Sequence, residues 1–340
     1  MKDLKTNQKH ANIPIFIPHL GCPNDCVFCN QRTISGHGDF KPETVRDEIE
    51  AALATIGDRT AEIAFFGGSF TGIDRSLMVY LLDLAEEYVK AGKVIGIRLS
   101  TRPDYINGEI LEILSRYTIT AVELGIQSTS DKVLAASRRG HTAERSKNAC
   151  LAVKKAGFTL VGQMMIGLPS SDAESEIKTA EDICAWGATF ARVYPTVVFY
   201  KTELCRMSQV GEYKPLSDSE AVERTANVLD VFDRHGVKTI RVGLCAGENL
   251  SSEKEVYGGA NHPAIGELAM QELFFRRICE AYEKLENPKK EVTLCVPTGC
   301  VSKAVGQKKH NILRFCEKYS ANIVKIVEKD DVFGYNVILY

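Results

Sequence analysis

The amino-acid sequence predicts an α/β protein built on a buried parallel β-sheet, wound as an open doubly wound sheet or as a full or partial barrel. Short apolar runs alternate with longer amphipathic patterns, as expected for repeated βα units joined by right-handed crossovers. Polar and glycine residues gather where the apolar runs end. Because ligands bind at the carboxyl ends of the strands in both architectures, the sequence also predicts where the working site lies.

The predicted strands are short runs rich in Val, Ile, Leu and Phe. They span residues 13–17, 62–68, 94–100, 121–127, 160–169, 191–199 and 238–244. The predicted helices have one apolar and one charged face, and they span residues 43–56, 75–91, 108–116, 142–156, 172–186 and 218–235. Six βα units therefore precede residue 236, and the seventh run either closes or flanks the array.

Four segments follow from this pattern. We expect an N-terminal tail (1–12), the barrel (13–245), a linking helical segment (246–287) and a small C-terminal α+β extension (288–340). The extension holds nine Lys and Arg against five Asp and Glu, so this end of the chain is locally basic. Its stretch Gly306-Gln307-Lys308-Lys309 resembles the glycine loop of KH-type RNA-binding modules without the second glycine. The alternative is a β-rich cap on the barrel.

Composition restricts the possible functions. The formal net charge is −2, so any binding to nucleic acid or an anionic membrane must depend on a local patch. We find no run of 18 apolar residues and no charged-then-apolar leader before Cys22, and therefore expect a cytoplasmic protein without membrane contact. Most of the eleven cysteines stand alone in apolar surroundings, as buried small hydrophobes do. The spacing of Cys295, Cys300 and Cys316 does not establish a second metal site.

Three cysteines, Cys22, Cys26 and Cys29, follow the first predicted strand with the spacing C-x3-C-x2-C. A disulfide would leave one thiol over and is unusual in the cytosol. A structural zinc site needs a fourth ligand, which His19 could supply, but zinc ligands normally come as two paired sets. An iron–sulfur cluster suits short thiolate spacings, and three protein ligands around four irons leave one iron open. The spacing favours the cluster, with zinc and plain buried thiols as alternatives.

These motifs resemble the radical S-adenosylmethionine (SAM) superfamily, whose signature has an aromatic residue before the last cysteine, here Phe28, and a glycine pair after the second strand, here FFGGSF. The blocks TRPDYI, VELGIQS, RRGHT, KKAGF, MMIGLP and VYPTVVFYKTEL resemble, in order, the radical domain of the Elongator catalytic subunit and its stand-alone bacterial relatives. The likeness spans roughly residues 13–270. An acetyltransferase domain is not expected within this chain, and the compact cysteine spacing is more similar to oxygen-independent coproporphyrinogen oxidase.

The resemblance implies a partial (βα)6-type TIM-like barrel of the radical SAM kind. It also implies a four-iron–four-sulfur (4Fe-4S) cluster on the three cysteines, with SAM bound at the open iron. The residues expected around these cofactors are Phe28, Gly67, Gly68, Ser100, Glu123, Gln127, Arg139, Gly167 and Tyr194. Phe28 would shield the cluster, and the glycine pair would let the strand end approach the methionine moiety and donate backbone N–H groups. The alternative for the glycines is a simple strand-to-helix turn.

The other expected contacts follow the same resemblance. Glu123 resembles a ligand of the ribose or amino group, and the alternative is a buried ion pair with Arg102 or Arg139. Arg139 would bind the methionine carboxylate or a substrate phosphate through its bidentate guanidinium. Gly167 begins the segment expected to pass the adenine. Tyr194 faces either the barrel mouth or the core.

Three functions are consistent with the sequence. The first is an oxygen-sensitive radical SAM enzyme that modifies tRNA and receives electrons from a reductant such as ferredoxin or flavodoxin. The second is radical oxidation or rearrangement of a small molecule, similar to coproporphyrinogen oxidase. The third is a non-catalytic iron–sulfur or zinc protein that binds RNA. The sequence does not identify the substrate, the atom attacked or the fate of SAM.

Overall fold

The body of the protein is a curved parallel sheet. The computed structural model describes residues 10–23, 26–30, 40–244 and 254–340. Its first eight strands are β1 (His10–Ile17), β2 (Thr60–Gly67), β3 (Gly96–Thr101), β4 (Ile119–Gln127), β5 (Thr159–Ile166), β6 (Phe190–Pro195), β7 (Val197–Phe199) and β8 (Lys238–Val242). Seven of them form one sheet in the order β1-β2-β3-β4-β5-β6-β8, with every neighbouring pair parallel. Within the described residues β1 and β8 pair on one side only, so the predicted partial barrel is confirmed.

Helices follow most of these strands, and most of the helices cover the outer face of the sheet. They are α1 (Val45–Ile56), α2 (Arg75–Lys90), α3 (Gly108–Leu114), α4 (Asp131–Ala136), α5 (Ala143–Lys155), α6 (Ala173–Ala185), α7 (Glu203–Gln209) and α8 (Asp218–Arg234). Side chains that accept backbone N–H groups begin several of them, including Asp74, Asn107 and Asp172. Every second strand residue, such as Ile15 and Ile63, is buried in the core between sheet and helices. No helix among the described residues is long and apolar enough to cross a membrane.

Several element boundaries differ from the prediction, and two of them have a clear structural cause. β1 begins at His10, inside the expected tail, because residues 10–12 pair with residues 60–62 of β2. The run 191–199 divides at Thr196, whose backbone N–H and hydroxyl both donate to the carbonyl oxygen of Ile166, at 2.9 and 2.7 Å. β7 then pairs with β9 (Val256–Gly259) in a separate antiparallel ribbon.

The C-terminal part has a core of its own. It contains α9 (Ile265–Glu283), β10 (Glu291–Pro297), α10 (Val301–Val305), α11 (His310–Tyr319), β11 (Asn322–Lys329) and β12 (Ile338–Leu339). The strand order is β11-β10-β12, with β10 parallel to β11 and antiparallel to β12. Leu294 and Val296 of β10 pack with Phe274 of α9 and Phe315 of α11. The other side of α9 packs against α8, which joins this unit to the barrel.

Candidate active site at the carboxyl end of the sheet

One cavity at the carboxyl ends of the strands brings together nine of the twelve predicted site residues. We name it the cysteine cavity. The predicted residues that line it are Cys22, Cys26, Phe28, Cys29, Gly67, Gly68, Ser100, Gln127 and Arg139. Five further residues complete the lining: His19, Thr101, Arg102, Gly125 and Gln163. The strand-end rule therefore located most of the cavity correctly.

The glycines of this cavity let two loops pack together. A Cβ atom on Gly68 would lie 2.0 Å from the carbonyl oxygen of Leu20, and one on Gly21 would lie 2.3 Å from that of Ser69. The Gly68 N–H donates to the Ile17 carbonyl at 2.7 Å, and the Ser69 N–H donates to the Leu20 carbonyl at 2.9 Å. The contact of the glycine pair with methionine stays a prediction. The small size of Gly68 lets the cysteine loop pack against the end of β2.

Two guanidinium groups approach the cysteine thiols. Cys26 is buried, and its Sγ accepts a hydrogen bond from Arg139 Nη1 at 3.3 Å. Arg102 supports Arg139 by donating from Nη2 to the Arg139 carbonyl oxygen at 2.5 Å. Burial raises the pKa of the Cys22 thiol, and the charges of Arg102 and Arg139 act against this rise. Both cations therefore favour the thiolate, which is the form that ligates metals.

Three buried polar atoms of the cavity residues have no hydrogen-bond partner in the described part of the chain. They are Arg102 Nη1, Arg139 Nε and Gln127 Oε1. Gln127 also has a left-handed backbone, with φ at 67°, which is uncommon for a residue with a side chain. An unsatisfied buried polar atom costs about 1–3 kcal/mol. Two unused cationic donors beside an amide acceptor fit a polar ligand that carries a carboxylate.

The arrangement of thiols bears on the kind of metal centre. No three His, Cys, Asp or Glu side chains of the described ranges are gathered tightly enough to hold one metal ion. A single zinc ion needs all its ligands within about 2.3 Å of one centre. An iron–sulfur cluster takes each thiolate on a different iron and so accepts more widely spaced sulfurs. The three cysteines and His19 line the same cavity, so a cluster on the thiolates and a zinc ion with His19 as its fourth ligand both stay predictions.

A layer of buried charges lies on the inner face of the sheet and meets the cavity lining at Gln163. Glu123 is fully buried, and its carboxylate accepts from Arg98 Nη1 at 3.0 Å, Arg192 Nη2 at 3.0 Å and Gln163 Nε2 at 2.7 Å. Arg98 also pairs with Glu62 of β2 at 3.0 Å. Five strands, β2 to β6, thus contribute to one compensated network, which satisfies each charge at the site of its burial.

This network changes the interpretation of two predicted residues. The alternative considered for Glu123, a buried ion pair, is present, but the partners named for it are wrong, because the strand register places Arg98 and Arg192 beside it instead of Arg102 or Arg139. Tyr194 is half-buried on the same face, where burial raises the pKa of its hydroxyl and Arg192 acts against the rise. Neither residue lines the cysteine cavity, and their proposed roles at the cofactor stay predictions.

The predicted adenine segment borders a second cleft. Gly167, Leu168 and Pro169 line it together with residues of α7, α8 and the loop between them. The Gly167 N–H donates to Glu176 Oε1 at 2.6 Å, and the Tyr213 hydroxyl donates to the Gly167 carbonyl at 2.6 Å. Both backbone polar groups of Gly167 are thus held by later parts of the chain. Gly167 does not line the cysteine cavity.

Several site residues were not predicted. Thr101 binds the hydroxyl groups of Ser69 and Thr71, at 2.8 and 2.7 Å, and so joins the ends of β2 and β3. Arg98 lies beneath the cavity, and Gln163 lines it. The available signal was strand alternation, because Arg98 precedes Ser100 by two residues and therefore shares its face.

Comparison with known proteins identifies the family. Residues 16–183 match the profile of the radical SAM superfamily, and residues 188–274 match that of the radical SAM C-terminal domain. The tRNA uridine(34) acetyltransferase of Methanocaldococcus jannaschii is 32% identical over 284 residues, covering 71% of this chain and 52% of that protein. Human Elongator complex protein 3 is 34% identical over 140 residues, covering 40% of this chain and 26% of that protein.

A solved structure agrees with the fold. The archaeal Methanocaldococcus infernus Elp3, lacking residues 1–46, superposes with a TM-score of 0.62 at 23% identity, covering 79% of this chain and 63% of that one. The chain spans about half the length of the archaeal acetyltransferase it matches. The two family profiles together cover most of the chain, and the three cysteines lie at the end of the first barrel strand. The chain therefore belongs to the radical SAM superfamily, and it is a radical SAM enzyme related to Elongator complex protein 3.

Proposed function

We propose that this enzyme holds a 4Fe-4S cluster on Cys22, Cys26 and Cys29 and modifies tRNA. The observation that carries the cofactor assignment is the cysteine cavity, where three thiols, two guanidinium groups and unpartnered polar atoms face the same space. When bound, the reduced cluster and SAM together would supply a 5′-deoxyadenosyl radical. The tRNA assignment is supported by two relatives of the chain, a tRNA uridine(34) acetyltransferase and Elongator complex protein 3.

The residues of the cavity have distinct proposed tasks. Arg139 would orient the methionine carboxylate, since its Nε has no hydrogen-bond partner in the described part of the chain while its Nη1 donates to Cys26. Gln127 and Ser100 offer polar contacts to the same ligand from neighbouring strands. Phe28 would cover the metal site and keep water away from it. Arg102 holds Arg139 in place through its backbone carbonyl and is itself fixed by Asp104 at 2.9 Å.

The cofactor assignment is tested by anaerobic reconstitution with iron and sulfide, followed by reduction with dithionite and addition of SAM. We expect a bound cluster and release of 5′-deoxyadenosine from the parent protein and neither from Cys26→Ala. Zinc binding at the three cysteines, with no cluster formed, would overturn the assignment. A physiological reductant of the ferredoxin or flavodoxin type is proposed as the electron source, and each would replace dithionite in the same assay.

The substrate assignment needs a separate experiment. Transfer RNA from a strain that lacks the gene is incubated with the reconstituted enzyme, SAM and reductant, and its nucleosides are analysed by mass spectrometry. We expect a mass change in one nucleoside that requires SAM. The compact cysteine spacing favours the second candidate, a small-molecule substrate. Consumption of SAM in cell extract depleted of RNA, with tRNA unchanged, would establish that alternative.

A further inference from the structure

The turn between α10 and α11 carries a cluster of cations without acidic neighbours in sequence. Lys303, Lys308, Lys309 and His310 lie within eight residues, and the stretch 299–316 contains no Asp or Glu. Lys308, Lys309 and His310 are exposed, and Lys303 is half-buried. None of the three lysine side chains has an ion pair or hydrogen bond to any residue the structure describes. We name these four residues the basic loop surface.

Two cations of this part of the chain have ion partners, whereas the exposed Lys289, Lys290 and Lys325, like the loop lysines, have none among the described residues. On the next turns of α11, Arg314 pairs with Glu272 at 2.6 Å and Lys318 pairs with Glu283 at 3.2 Å. The C-terminal unit therefore compensates the cations that face α9 and leaves those of the loop uncompensated. Adjacent like charges repel one another in the folded protein. An anionic partner would remove this repulsion.

The backbone of the loop has a conformation that glycine favours. The φ angles of Gly306, Lys308 and Lys309 are 77°, 50° and 60°, all in the left-handed region. This conformation costs a residue with a side chain about 1–2 kcal/mol. Glycine at positions 308 and 309 would therefore make the folded protein more stable than lysine does. In KH modules a GXXG loop clamps the backbone of four nucleotides. Here Lys309 replaces the second glycine but keeps the glycine-like conformation and adds a positive charge.

Apolar surface lies beside these charges. Leu313 of α11 is 62% exposed, and it follows Lys309 by four residues and His310 by three. Residues at these separations share one face of a helix. Phosphates suit the lysines, whereas bases stack on aromatic and histidine side chains and contact apolar ones. Unstacked bases are accessible in single-stranded RNA but not in a duplex, which favours the single strand as the partner.

We propose that the basic loop surface binds single-stranded RNA, with Lys308 and Lys309 on the phosphate backbone and His310 and Leu313 against the bases. The inference rests on the proposed tRNA substrate and extends it, because it assigns substrate binding to a unit outside the barrel. A tRNA contains single-stranded loops of the required kind. The lysines would hold such a loop, and the barrel would act on a nucleotide nearby.

The test compares RNA binding by two double variants of the full chain. Lys308→Gly with Lys309→Gly removes two charges and suits the left-handed backbone, so this variant should fold at least as well as the parent. Lys289→Ala with Lys290→Ala removes the same charge from the exposed link before β10. Binding of a short fluorescent oligoribonucleotide of mixed sequence is measured by anisotropy at several salt concentrations.

We expect the glycine variant to lose about tenfold or more in affinity and its salt slope to fall by about 1.4, since each lost phosphate contact on a single strand contributes about 0.7. The alanine control should lose less than about threefold, because its charges lie outside the proposed site. Equal losses in the two variants, or no loss in either, would overturn the proposal. Equally tight binding of duplex RNA by the parent would refute the single-strand assignment.

Failure of the proposed function gives a different result. If the parent binds RNA through the loop but leaves tRNA unmodified in the nucleoside assay, the substrate assignment fails and the binding site stands. If the parent modifies tRNA and the glycine variant does so with an unchanged KM, the binding site fails and the substrate assignment stands. The binding assay needs neither cluster nor SAM, so the two results are independent.

Discussion

Removal of the Arg224 side-chain charge tests whether one buried ion pair holds the backbone of Gly167, directly after β5, in its position. Glu176 of α6 accepts the N–H of Gly167, the hydroxyl of Ser171 at 3.1 Å and the guanidinium of Arg224, whose Nε lies 2.8 Å from Oε2. The side chain of Glu176 is 3% exposed and that of Arg224 is 17% exposed. The carboxylate thus depends on Arg224 as its charged partner and positions Gly167 in turn.

The expected loss follows from this burial. Arg224→Met keeps the apolar stem and removes the charge, and breaking a buried ion pair from one side costs about 3–5 kcal/mol. Because Arg224 is partly exposed, we expect a value near the lower limit, about 3 kcal/mol, or about a hundredfold in the folding equilibrium. In the double variant with Glu176→Gln the residual charge is gone, and the amide oxygen can still accept the Gly167 N–H. Most of the lost free energy of unfolding should then return.

The loss should also depend on pH. Burial raises the pKa of Glu176 above its ordinary value, and Arg224 acts against this rise, so its removal raises the pKa further. A carboxyl group with a higher pKa in the folded state binds its proton more tightly there. Its ionisation therefore destabilises the fold as the pH rises. This destabilisation becomes smaller as the pH falls toward the pKa that the carboxyl group has in the unfolded state. The deficit of Arg224→Met relative to the parent should be larger at about pH 8 than at about pH 6.

The reporter for this experiment is built into the same helix. Trp186 is the only tryptophan of the chain, and it caps the carboxyl end of α6, where it is 8% exposed. Urea unfolding is followed by its fluorescence for the parent, Arg224→Met and the double variant at both pH values. A loss below about 1 kcal/mol, the range of an exposed pair, would refute the reasoning. An equal loss at both pH values, or no recovery in the double variant, would refute it as well.

Three further predictions test the site and its support. Cys26→Ala should bind no cluster after reconstitution, whereas Cys184→Ala, which changes a helix cysteine, should bind as much iron and sulfide as the parent. Gly68→Ala should lose about 3 kcal/mol or more in urea unfolding, because the new Cβ meets a backbone oxygen at 2.0 Å. Gly108→Ala, with open space around it at the start of a helix, should gain about 0.5 kcal/mol instead. Glu123→Ala leaves two arginines buried without their shared partner and should lose about 3–5 kcal/mol, and Glu123→Gln should lose less.

The sequence predicted the cavity better than it predicted contacts within it. Strand ends are visible as apolar runs followed by polar or glycine residues, and parallel strands bring those ends to one edge. Nine of the predicted residues meet there for this reason, from Cys22 to Arg139. Glu123 was also recognised as a buried charge that needs compensation. Its partners were not, because they depend on the register between β3, β4 and β6, which no single segment encodes.

Gly67 and Gly68 show a second limit. A glycine pair after a strand is consistent with a ligand contact and with close packing of two loops, and the sequence alone does not distinguish these two roles. The structure shows the packing, because the Gly68 N–H donates to Ile17 and the missing side chain makes room for Leu20, and the ligand contact stays a prediction. Gly167 shows the reverse case. It follows its strand as expected, but its N–H and carbonyl are held by residues far along the chain, toward a different cleft.

The distribution of satisfied and unsatisfied polar groups connects the fold with the chemistry. The inner charges of the sheet, such as Glu123 with Arg98 and Arg192, compensate one another at the depth where they are buried. The carboxyl edge does not follow this pattern, since Arg139 and Gln127 keep polar atoms there that have no partner among the described residues. Such atoms together cost the folded chain several kcal/mol, about 1–3 for each. A fold tolerates this cost at a site where a ligand completes the hydrogen bonding. The same atoms that lower the stability of the cofactor-free protein would therefore strengthen cofactor binding.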